Sequence, residues 1–543
     1  MIETLSDIKL ELITDPYAKS VLQLCLNVID SQQQQIKELK ELVQSLKDEI
    51  SKLKGEQPKP EFKPKIENKN ISSQKYINPK KKHQKKSKKN IIQIDKNIIC
   101  QINPAILPTD AVFKGYDTLI QQDIIFKREN TQFSVELWYS PSLRKTFRAD
   151  TPEYEGYFGN RLKSFCIVMN KDIDVTHSKL ARIFKYLGIE ISAGSIQNIL
   201  IENPQMWINE KTDILIAGLQ GIYTQTDTTS AKVAGELYRT HIICSQWFVI
   251  FSTLEGKGRK QLLYALQGDP PSGLMMVYNQ TTLEYLQYFK ISQACICELK
   301  QIFDGLLPIC ELEFKQTISR QIPEIVAKPT IFNWICDAFA FGYYYHQQEF
   351  SQVKVLISDD APEYKLVGQE HGLCWVHDAR YYNKLTPFID CHKNILSDFK
   401  ERYWLFYDTL LEYQKNPTAV QKQKIEQDFD TLFVPSTSYF DLNKVINRTR
   451  NDKNKLLTVL EYPQIPLHNN RSELAARQQV RRRDICLHTM TRLGTQLQDA
   501  FMSIICTCNL LGLNAFTYIM DRIAGKNQFY LPNLVLINVI NSS

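Results

Sequence analysis

The stretch GIYTQTDTT, residues 221–229, decides the fold prediction, because Asp227 comes late in a β-branched and aromatic run typical of a strand. A second stretch, VKVLISDDAPEY at residues 353–364, carries two adjacent acidic residues just past another apolar strand. These are Asp359 and Asp360. Polar groups placed beyond neighbouring strand ends converge on one edge of a mixed sheet, so we expect these carboxylates to lie close together.

A third acidic residue follows much later in the chain. The stretch HNNRSELAAR, residues 468–477, places Glu473 in the first turn of a long predicted helix. Carboxylates from two strand ends and one helix are hard oxygen ligands of the kind that a pair of Mg²⁺ ions, or Mn²⁺, requires. Two such ions can activate one oxygen and stabilise another that leaves phosphorus. The pattern therefore indicates phosphodiester chemistry.

Each acidic residue also has a structural interpretation. Asn470 and Glu473 have the spacing of a capping box, and Arg477 is placed to pair with Glu473 one helical turn on. One of the two adjacent aspartates could cap the helix that follows, and Asp227 could be a solvated turn residue. The spacing of Cys374 and His377 occurs in some zinc sites, but zinc needs four converging ligands and no second spaced pair supports such a site.

The residues around the carboxylates form longer blocks. Asn469 to Glu473 read Asn-Asn-x-x-Glu, Arg477 follows, and Arg481 to Arg483 form a basic cluster. The stretch LCWVHDAR, residues 373–380, has a Cys-aromatic-x-His-x-x-Arg pattern. Together these blocks resemble the catalytic region of DDE insertion-sequence transposases of the IS-sixty-six type, and the resemblance spans about residues 110–525.

The resemblance implies a metal-dependent transposase that cuts and joins DNA at the ends of its own element. Asp227, Asp359 and Glu473 would be the catalytic residues and the ligands of two Mg²⁺ ions. Tyr364, five places after Asp359, favours that residue over its neighbour as the second ligand. Thr228 departs from the family, which usually has Glu at this position.

The resemblance and the charge pattern also imply partners. DNA, as element ends and target, would contact a set of basic residues: Lys80, Lys81, Lys82, Lys85, Lys86, Lys88, Lys89, Arg380, Arg477, Arg481, Arg482 and Arg483. The cluster from Arg481 to Arg483 could equally be a solvated helix face. Accessory proteins are possible partners. Two other functions stay open: a catalytically decayed DNA-binding protein derived from a transposon, and a metal-dependent nuclease without strand transfer.

The amino-acid composition limits the classes of protein to which this chain can belong. The chain has 543 residues, 43% of them apolar, which is enough for three or more domains. It has no run of 18 apolar residues and no basic-then-apolar N-terminal signal, so we expect no membrane association and a cytoplasmic, nucleoid-associated protein. The thirteen scattered cysteines favour a reduced compartment over a disulfide framework.

Positive charge is concentrated near the N-terminus. Residues 54–90 hold thirteen lysines and three glutamates, a net charge of +10, whereas the whole chain is +7 and the remainder is therefore −3. This segment also carries four prolines and few apolar residues. It is typical of a flexible linker that attracts a polyanion, although a solvated tail without a binding role has the same composition.

The segment before this linker has a heptad pattern. Leu22, Ile29, Ile36, Val43 and Ile50 fall at one seam position, and Cys25, Gln32, Leu39, Leu46 and Leu53 fall at the other. β-Branched residues at a with Leu at d favour a parallel two-stranded coiled coil, hence a homodimer or a larger assembly. The alternative is one amphipathic helix packed on the catalytic body.

The fold class predicted from these patterns is mixed α/β (α+β), with a ribonuclease-H-like catalytic core as the resemblance implies. The predicted domains are a coiled coil (1–53), a basic flexible linker (54–98), a small β module (99–155), a helix-turn-helix-like region (156–215), the catalytic domain (216–525) with a helical insertion at about 380–455, and a C-terminal tail (526–543). The helical hairpin at 178–203 could read DNA, but its second helix has no Arg or Lys, so a structural role is equally open.

Overall fold

The chain forms two compact units. The computed structural model describes residues 13–53, 94–103, 113–117, 119–124, 127–152, 154–270, 273–348 and 350–542. The larger unit comprises the described residues within 1–64, 153–181 and 191–543, and the smaller unit those within 65–152 and 182–190. Helices predominate and surround one mixed sheet, so the predicted mixed α/β class is confirmed.

The strands build three sheets of very different size. They are β1 (Leu137–Ser140), β2 (Lys145–Arg148), β3 (Tyr223–Val233), β4 (Glu236–Cys244), β5 (Val249–Leu254), β6 (Met275–Met276), β7 (Ile309–Cys310), β8 (Val355–Ser358) and β9 (Glu370–Leu373). The main sheet has the order β5-β4-β3-β8-β9, and β1-β2 and β6-β7 are two-stranded pairs.

The helices occupy most of the remaining described chain. They are α1 (Pro16–Leu53), α2 (Asn160–Lys171), α3 (His177–Tyr186), α4 (Ala193–Leu200), α5 (Pro204–Gly218), α6 (Arg259–Leu266), α7 (Gln280–Tyr288), α8 (Gln293–Phe303), α9 (Glu311–Gln321), α10 (Pro323–Val326), α11 (Pro329–His346), α12 (Trp375–Lys384), α13 (Asp390–Lys415), α14 (Ala419–Leu432), α15 (Phe440–Asn451), α16 (Lys453–Leu456), α17 (Asn470–Cys486), α18 (Arg492–Leu510), α19 (Ala515–Ile523) and α20 (Leu531–Asn541). None of the helices in the described residues is both long enough and apolar enough to cross a membrane.

The main sheet combines an antiparallel meander with a parallel extension. β4 runs antiparallel to β3 and to β5, whereas β8 runs parallel to β3 and β9 runs parallel to β8. Ala234 and Gly235 form the tight turn between β3 and β4, and both have positive φ angles, 50° and 91°. Such two-residue turns match the twist of the strands they join, which lets β3 continue well past Asp227.

Edge strand β5 is covered by a polar ladder on α18. The Thr253 amide donates to Asp499 Oδ2 at 2.7 Å, the Phe251 amide to Ser503 Oγ at 2.9 Å and the Val249 amide to Thr507 Oγ1 at 3.2 Å. Residues four apart lie on one face of a helix, and alternate strand residues point their N–H groups to the same side. These bonds satisfy backbone N–H groups of an edge strand that would otherwise be open to pairing with another chain.

The predicted helical insertion shares one hydrophobic core with β8 and β9, which contribute Val355, Ile357 and Leu373. Trp375, Tyr403 and Phe429 are buried there together with residues of α13 to α16. Trp375 was expected in a strand over Leu373 to His377, but that expectation is wrong beyond Leu373, where β9 ends and α12 begins at Trp375. A short apolar run does not distinguish a strand from a buried helix start, and the burial of Trp375 favours the helix here.

The two ends of the chain also differ from the expected coil and tail. Leu26, Asn27 and Asp30 of α1 are buried against the insertion, whereas α1 is exposed wherever its side chains are described from residue 35 onward. The alternative of an amphipathic helix packed on the body therefore holds for the first part of α1. The predicted tail contains α20, which packs on α5 and buries Leu531 and Val535.

The structure describes part of the β module and the whole of the helical hairpin at 178–203. Within the described part of 99–155, the β1-β2 hairpin is the only strand pair, with Leu137 opposite Arg148. Ser192 caps α4 as expected, because its Oγ accepts from the Ser195 amide at 3.0 Å. The basic linker lies outside the described residues, except for residues 94–98.

Candidate active site

Strand pairing places Asp227 level with Asp359. β3 and β8 are parallel, and their last pair is Gln225 opposite Ile357, so continuing this register by two residues would bring Asp227 level with Asp359, just past the end of β8. Neighbouring strands are about 4.8 Å apart. Asp227 was expected near a strand end, but it is the fifth of eleven residues in β3. Asp359 directly follows β8, which ends at Ser358, so only this second aspartate lies just past the end of a strand, as expected.

The electrostatics of Asp227 reflect this crowding. The pKa of Asp227 is raised to about 6, chiefly by burial and also by the negative charges of Asp359 and Glu473. The Thr228 amide, which donates to Asp227 Oδ1 at 2.7 Å, and the Arg380 guanidinium act in the opposite direction. Carboxylates from three distant segments of the chain therefore share one electrostatic neighbourhood.

Asp359 and Asp360 face different partners. Asp359 Oδ1 accepts from the Ala361 amide at 3.0 Å, and its charge acts on Asp227. Asp360 instead contacts Arg448 at 3.2 Å and Lys365 at 3.4 Å. Although burial alone would raise the pKa of Asp360, these cations hold it below its ordinary value. Of the two, Asp359 belongs to the carboxylate group and Asp360 to a separate ion-pair network.

Glu473 lies in the first turn of α17 among basic side chains. Its Oε1 accepts from Arg380 Nη2 at 2.8 Å and lies 3.4 Å from His377 Nε2. Its Oε2 lies 3.7 Å from Arg477, the i+4 partner expected from the sequence. Burial lowers the pKa of His377, and the Arg380 charge lowers it further, against the opposing effect of Glu473. The predicted capping box of Asn470 and Glu473 is not formed, because Asn470 is the first residue of α17 and its N-cap is Asn469, which makes no side-chain capping bond.

Two polar side chains hold the start of α17 against the sheet. Asn469 Nδ2 donates to the Thr226 carbonyl at 2.7 Å, and Gln225 Nε2 donates to the His468 carbonyl at 2.9 Å. Both contacts are next to Asp227 in β3, so they fix Glu473 relative to that carboxylate. The sequence pattern contained Asn469 and Gln225 but gave no signal of this bracing role.

Tyr364 provides a further brace that the sequence suggested only as a motif residue. Its hydroxyl lies 3.0 Å from Thr228 Oγ1, and the side chain is 3% exposed. Thr228 stands where the resembling family usually has Glu. Here its hydroxyl joins the β3 strand to the turn that follows Asp359.

Magnesium fits the chemistry of the donor set better than zinc does. The three carboxylates supply hard oxygens, and a cation would relieve the repulsion that raises the pKa of Asp227. Within the described ranges, however, no three His, Cys, Asp or Glu side chains form a group able to hold a metal as they stand. Glu473 is held by Arg380 and His377 instead. Cys374 is buried and accepts from the Asn469 amide, and burial raises the pKa of its thiol to about 11.

The basic residues expected to contact DNA lie in different environments. Arg380 is partly exposed beside Glu473, and Arg477 and Arg481 lie on the exposed side of α17. Arg482 is buried, with Nη2 donating to Asn170 Oδ1 at 3.0 Å, and Arg483 donates to the Ser230 carbonyl. The seven lysines, Lys80 to Lys89, lie outside the described residues. Residues 481–483 therefore form neither a continuous row of DNA-facing arginines nor a solvent-exposed helix face.

Comparison with known proteins places this site in a family context. Residues 345–497 match the profile described as the Transposase IS66 family. That range contains Asp359, Arg380 and Glu473, whereas Asp227 precedes it. The chain is also similar to Uncharacterized protein y4jO of Sinorhizobium fredii (strain NBRC 101917 / NGR234), at 29% identity over 332 residues. The alignment covers 60% of this chain and 99% of that relative.

Proposed function

We propose that the protein is a DDE transposase, because residues 345–497 match the profile of the IS66 transposase family and the three candidate carboxylates come together beside that region. It cleaves DNA at the ends of an insertion sequence and transfers the freed 3′ ends to target DNA. The substrate is a phosphodiester of the DNA backbone, and the products are new phosphodiester bonds rather than free nucleotides.

One observation carries the proposal. Asp227, Asp359 and Glu473 come from three separate segments, and the charges of the latter two raise the pKa of Asp227. A purely structural role would favour a compensating cation at each carboxylate, as Asp360 and Glu473 have, yet neither Asp227 nor Asp359 forms a salt bridge with any of the described residues. The order of the sheet, a three-strand meander with two parallel strands added beside β3, supports our assignment of a ribonuclease-H-like core.

These three carboxylates are the proposed ligands of two Mg²⁺ ions, or Mn²⁺. When bound there, the ions would lower the pKa of the attacking hydroxyl and neutralise charge on the leaving oxygen. The protein's own contribution is positional. Asn469 and Gln225 hold α17 against β3, so Glu473 stays close to Asp227 without help from the substrate.

Arg380 and His377 have a second role in this proposal. Both contact Glu473 Oε1, and Arg380 is the closer, at 2.8 Å. A guanidinium can bind phosphate oxygens in a bidentate manner, so Arg380 can exchange Glu473 for a DNA phosphate when the substrate enters. The exchange would free the carboxylate at the same moment.

Outside the active site, we assign DNA binding to the positively charged linker. We also expect two protomers to pair through α1. The lysine-rich linker supplies affinity without sequence information. Exposed Leu39 and Leu46 of α1 lie at one seam position of the heptads, and their exposure supports pairing of two protomers through this helix. Accessory proteins are compatible with this assembly.

The decisive test is Asp227→Asn, which retains the shape of the side chain and removes its charge. We expect cleavage of element-end DNA in Mg²⁺ to fall by at least about 1,000-fold, since loss of a group that stabilises the transition state costs several kcal/mol. Affinity for the same DNA should change less than about twofold. Cleavage at the normal rate would contradict the assignment.

A strand-transfer assay separates transposase from nuclease. Wild-type protein supplied with pre-cleaved ends should join their 3′-hydroxyls to plasmid DNA, and Asp227→Asn should not. Cleavage without joining would identify a metal-dependent nuclease, and DNA binding without either reaction would identify a decayed copy.

A further inference from the structure

A cavity of about 540 Å³ lies at the end of α17 opposite to Glu473. The C-terminal half of α17 and the start of α18 form part of its wall, together with residues 487–491 between them. Lys232 near the end of β3, Lys171 of α2 and Gln197 of α4 line other parts. We call this space the α17 cavity. Its lining includes none of the three acidic site residues.

The charged lining of the α17 cavity is mostly positive. Lys171, Lys232, Arg482 and Arg483 contribute cations, and Asp499 is the only carboxylate among the lining residues. Both oxygens of Asp499 already accept from Thr253, at 2.7 and 2.9 Å. The cavity is therefore suited to an anionic ligand.

Lys171 is the most unusual of these cations. Its side chain is buried, and it forms no salt bridge with any of the described residues. Its Nζ lies 6.0 Å from the centre of the Phe501 ring. Its pKa is lowered to about 7, chiefly by burial and also by the Arg482 charge, against weaker effects of Cys486 and Asp499. A bound anion would supply the missing counter-charge.

Two other lining residues have buried polar atoms without a partner in the described structure. They are Gln479 Oε1 and Arg482 Nε, on side chains that are 6% and 4% exposed. Leaving a buried donor or acceptor unpaired costs about 1–3 kcal/mol. A ligand with both hydrogen-bond donors and acceptors would satisfy both atoms, which a simple inorganic anion would not.

The size and apolar part of the cavity point to a ligand larger than phosphate. Pockets for organic ligands commonly have volumes of about 300–1,000 Å³, and this cavity falls within that range. Leu200, Ile485 and Met490 add apolar surface on which an aromatic ring system could pack. A nucleotide combines such a ring, hydrogen-bonding edges and a phosphate.

The α17 helix also fixes how far the cavity lies from Glu473. Glu473 and Arg482 are nine residues apart, which corresponds to about 14 Å along the helix axis and, at about 100° per residue, to opposite sides of the helix. One strand of duplex DNA rises about 3.4 Å per nucleotide, so a nucleotide about four positions from the reacting phosphate would have to leave the duplex to reach the cavity. A base extruded from the stack can be read in a protein pocket, at a cost that is least where the base is unpaired.

We propose that the α17 cavity binds one nucleotide unit, with its phosphate near Lys171 and Lys232 and its base near Gln479 and the apolar side chains. The expected source is an unpaired nucleotide of the DNA strand held at the active site, and this part rests on the proposed function. A free nucleoside monophosphate has the same chemistry and is the other source.

The test compares binding of full-length protein to two labelled duplexes of one sequence, with and without a single bulged adenosine. Wild type should bind the bulged duplex at least about tenfold more tightly. Lys171→Met should abolish this preference while changing affinity for the perfect duplex less than about twofold. Lys232→Met, at an exposed position, provides a second variant, and Lys415→Met on α13 is the matched control with the preference intact.

Deoxyadenosine monophosphate distinguishes the two sources. Suppression of the bulge preference by this nucleotide supports uptake from DNA. Nucleotide binding that is lost in Lys171→Met and Lys232→Met without any bulge preference supports a free nucleotide ligand. If both cavity variants bind bulged DNA and the nucleotide as wild type does, the proposal is overturned. Asp227→Asn should keep the preference, so failure here is distinguishable from failure of the catalytic assignment.

Discussion

At the scale of single residues, two adjacent aspartates have acquired different environments. Successive side chains at a strand end point to opposite sides, so identical residues one position apart meet different neighbours. Asp359 is oriented toward the carboxylates, and Asp360 toward Arg448 and Lys365. In the sequence, only the spacing of Tyr364 favoured Asp359 as the second ligand. The ion pairs of Asp360 give a physical reason for preferring Asp359.

This difference predicts opposite outcomes for two matched substitutions. Asp359→Asn should reduce cleavage of element-end DNA in Mg²⁺ by at least about 1,000-fold, because it removes a proposed ligand charge. Asp360→Asn should leave cleavage within about tenfold of wild type, since its ion pairs with Arg448 and Lys365 lie outside the proposed set of metal ligands. Initial cleavage rates at saturating DNA measure both. The reverse order would reassign the second ligand to Asp360.

Residue types were more predictable than their contacts. The motifs identified Asp227, Asp359 and Glu473, and the i+4 spacing identified the Arg477 contact. They did not identify the bond from Arg380 to Glu473, because the two residues are 93 positions apart in sequence. The burial of Arg482 was also missed, since three consecutive arginines look alike until their positions around a helix are known.

At the scale of elements, α1 changes character along its length. Asp30 Oδ1 accepts from the backbone amides of Phe388 and Ile389, at 2.7 and 3.2 Å, and Oδ2 lies 2.5 Å from His392 Nδ1. The heptad pattern did not reveal this contact, because Asp30 lies off the apolar seam. In the main sheet, by contrast, β3 pairs with β8, as expected for neighbouring strands that carry Asp227 and precede Asp359.

The Asp30 contact should stabilise the docking of α1. Asp30→Ala leaves buried amide groups and His392 without their partner, so the free energy of unfolding should fall by about 2–4 kcal/mol. Urea denaturation followed by tryptophan fluorescence measures the change. Glu41→Ala, at an exposed position of the same helix, is the matched control and should alter stability by less than about 0.5 kcal/mol.

The second part of α1 should pair two protomers. Leu39 and Leu46 are 59% and 48% exposed, which is unfavourable for a helix surface that stays in water. Replacing both with Asp should convert a dimer or larger assembly into a monomer at micromolar concentration, as measured by multi-angle light scattering. Replacing Glu38 and Glu41, off the seam, with Gln should leave the mass unchanged. A monomeric wild type would contradict the pairing.

At the scale of the whole molecule, charge is separated along the chain. Residues 54–90 carry +10, and all other residues sum to −3. A folded body with slight negative charge gains little from nonspecific attraction to DNA, so the linker should dominate that attraction. Specific recognition must then come from the folded units.

The salt dependence of the affinity for DNA measures how much of the binding is due to the linker. Changing the seven lysines from Lys80 to Lys89 to Gln keeps the length of the linker and removes their charge. If all seven neutralise phosphates, the slope of log K against log salt should become less negative by about 6, at about 0.9 per phosphate. The effect should be equal for element-end and unrelated duplexes. An unchanged slope would make this segment a spacer.

The α17 helix has one more consequence. Its first turn carries Glu473 and its last two turns carry Arg482 and Arg483, with regular helix between them. A continuous helix fixes both the separation of its ends and their rotation about its axis, by 100° for each residue. A nucleotide bound at the far end would therefore lie at a fixed distance from the reacting phosphate. The position of the cut would then be set by the number of nucleotides between the two sites, and it would not depend on the sequence of the DNA at the cut.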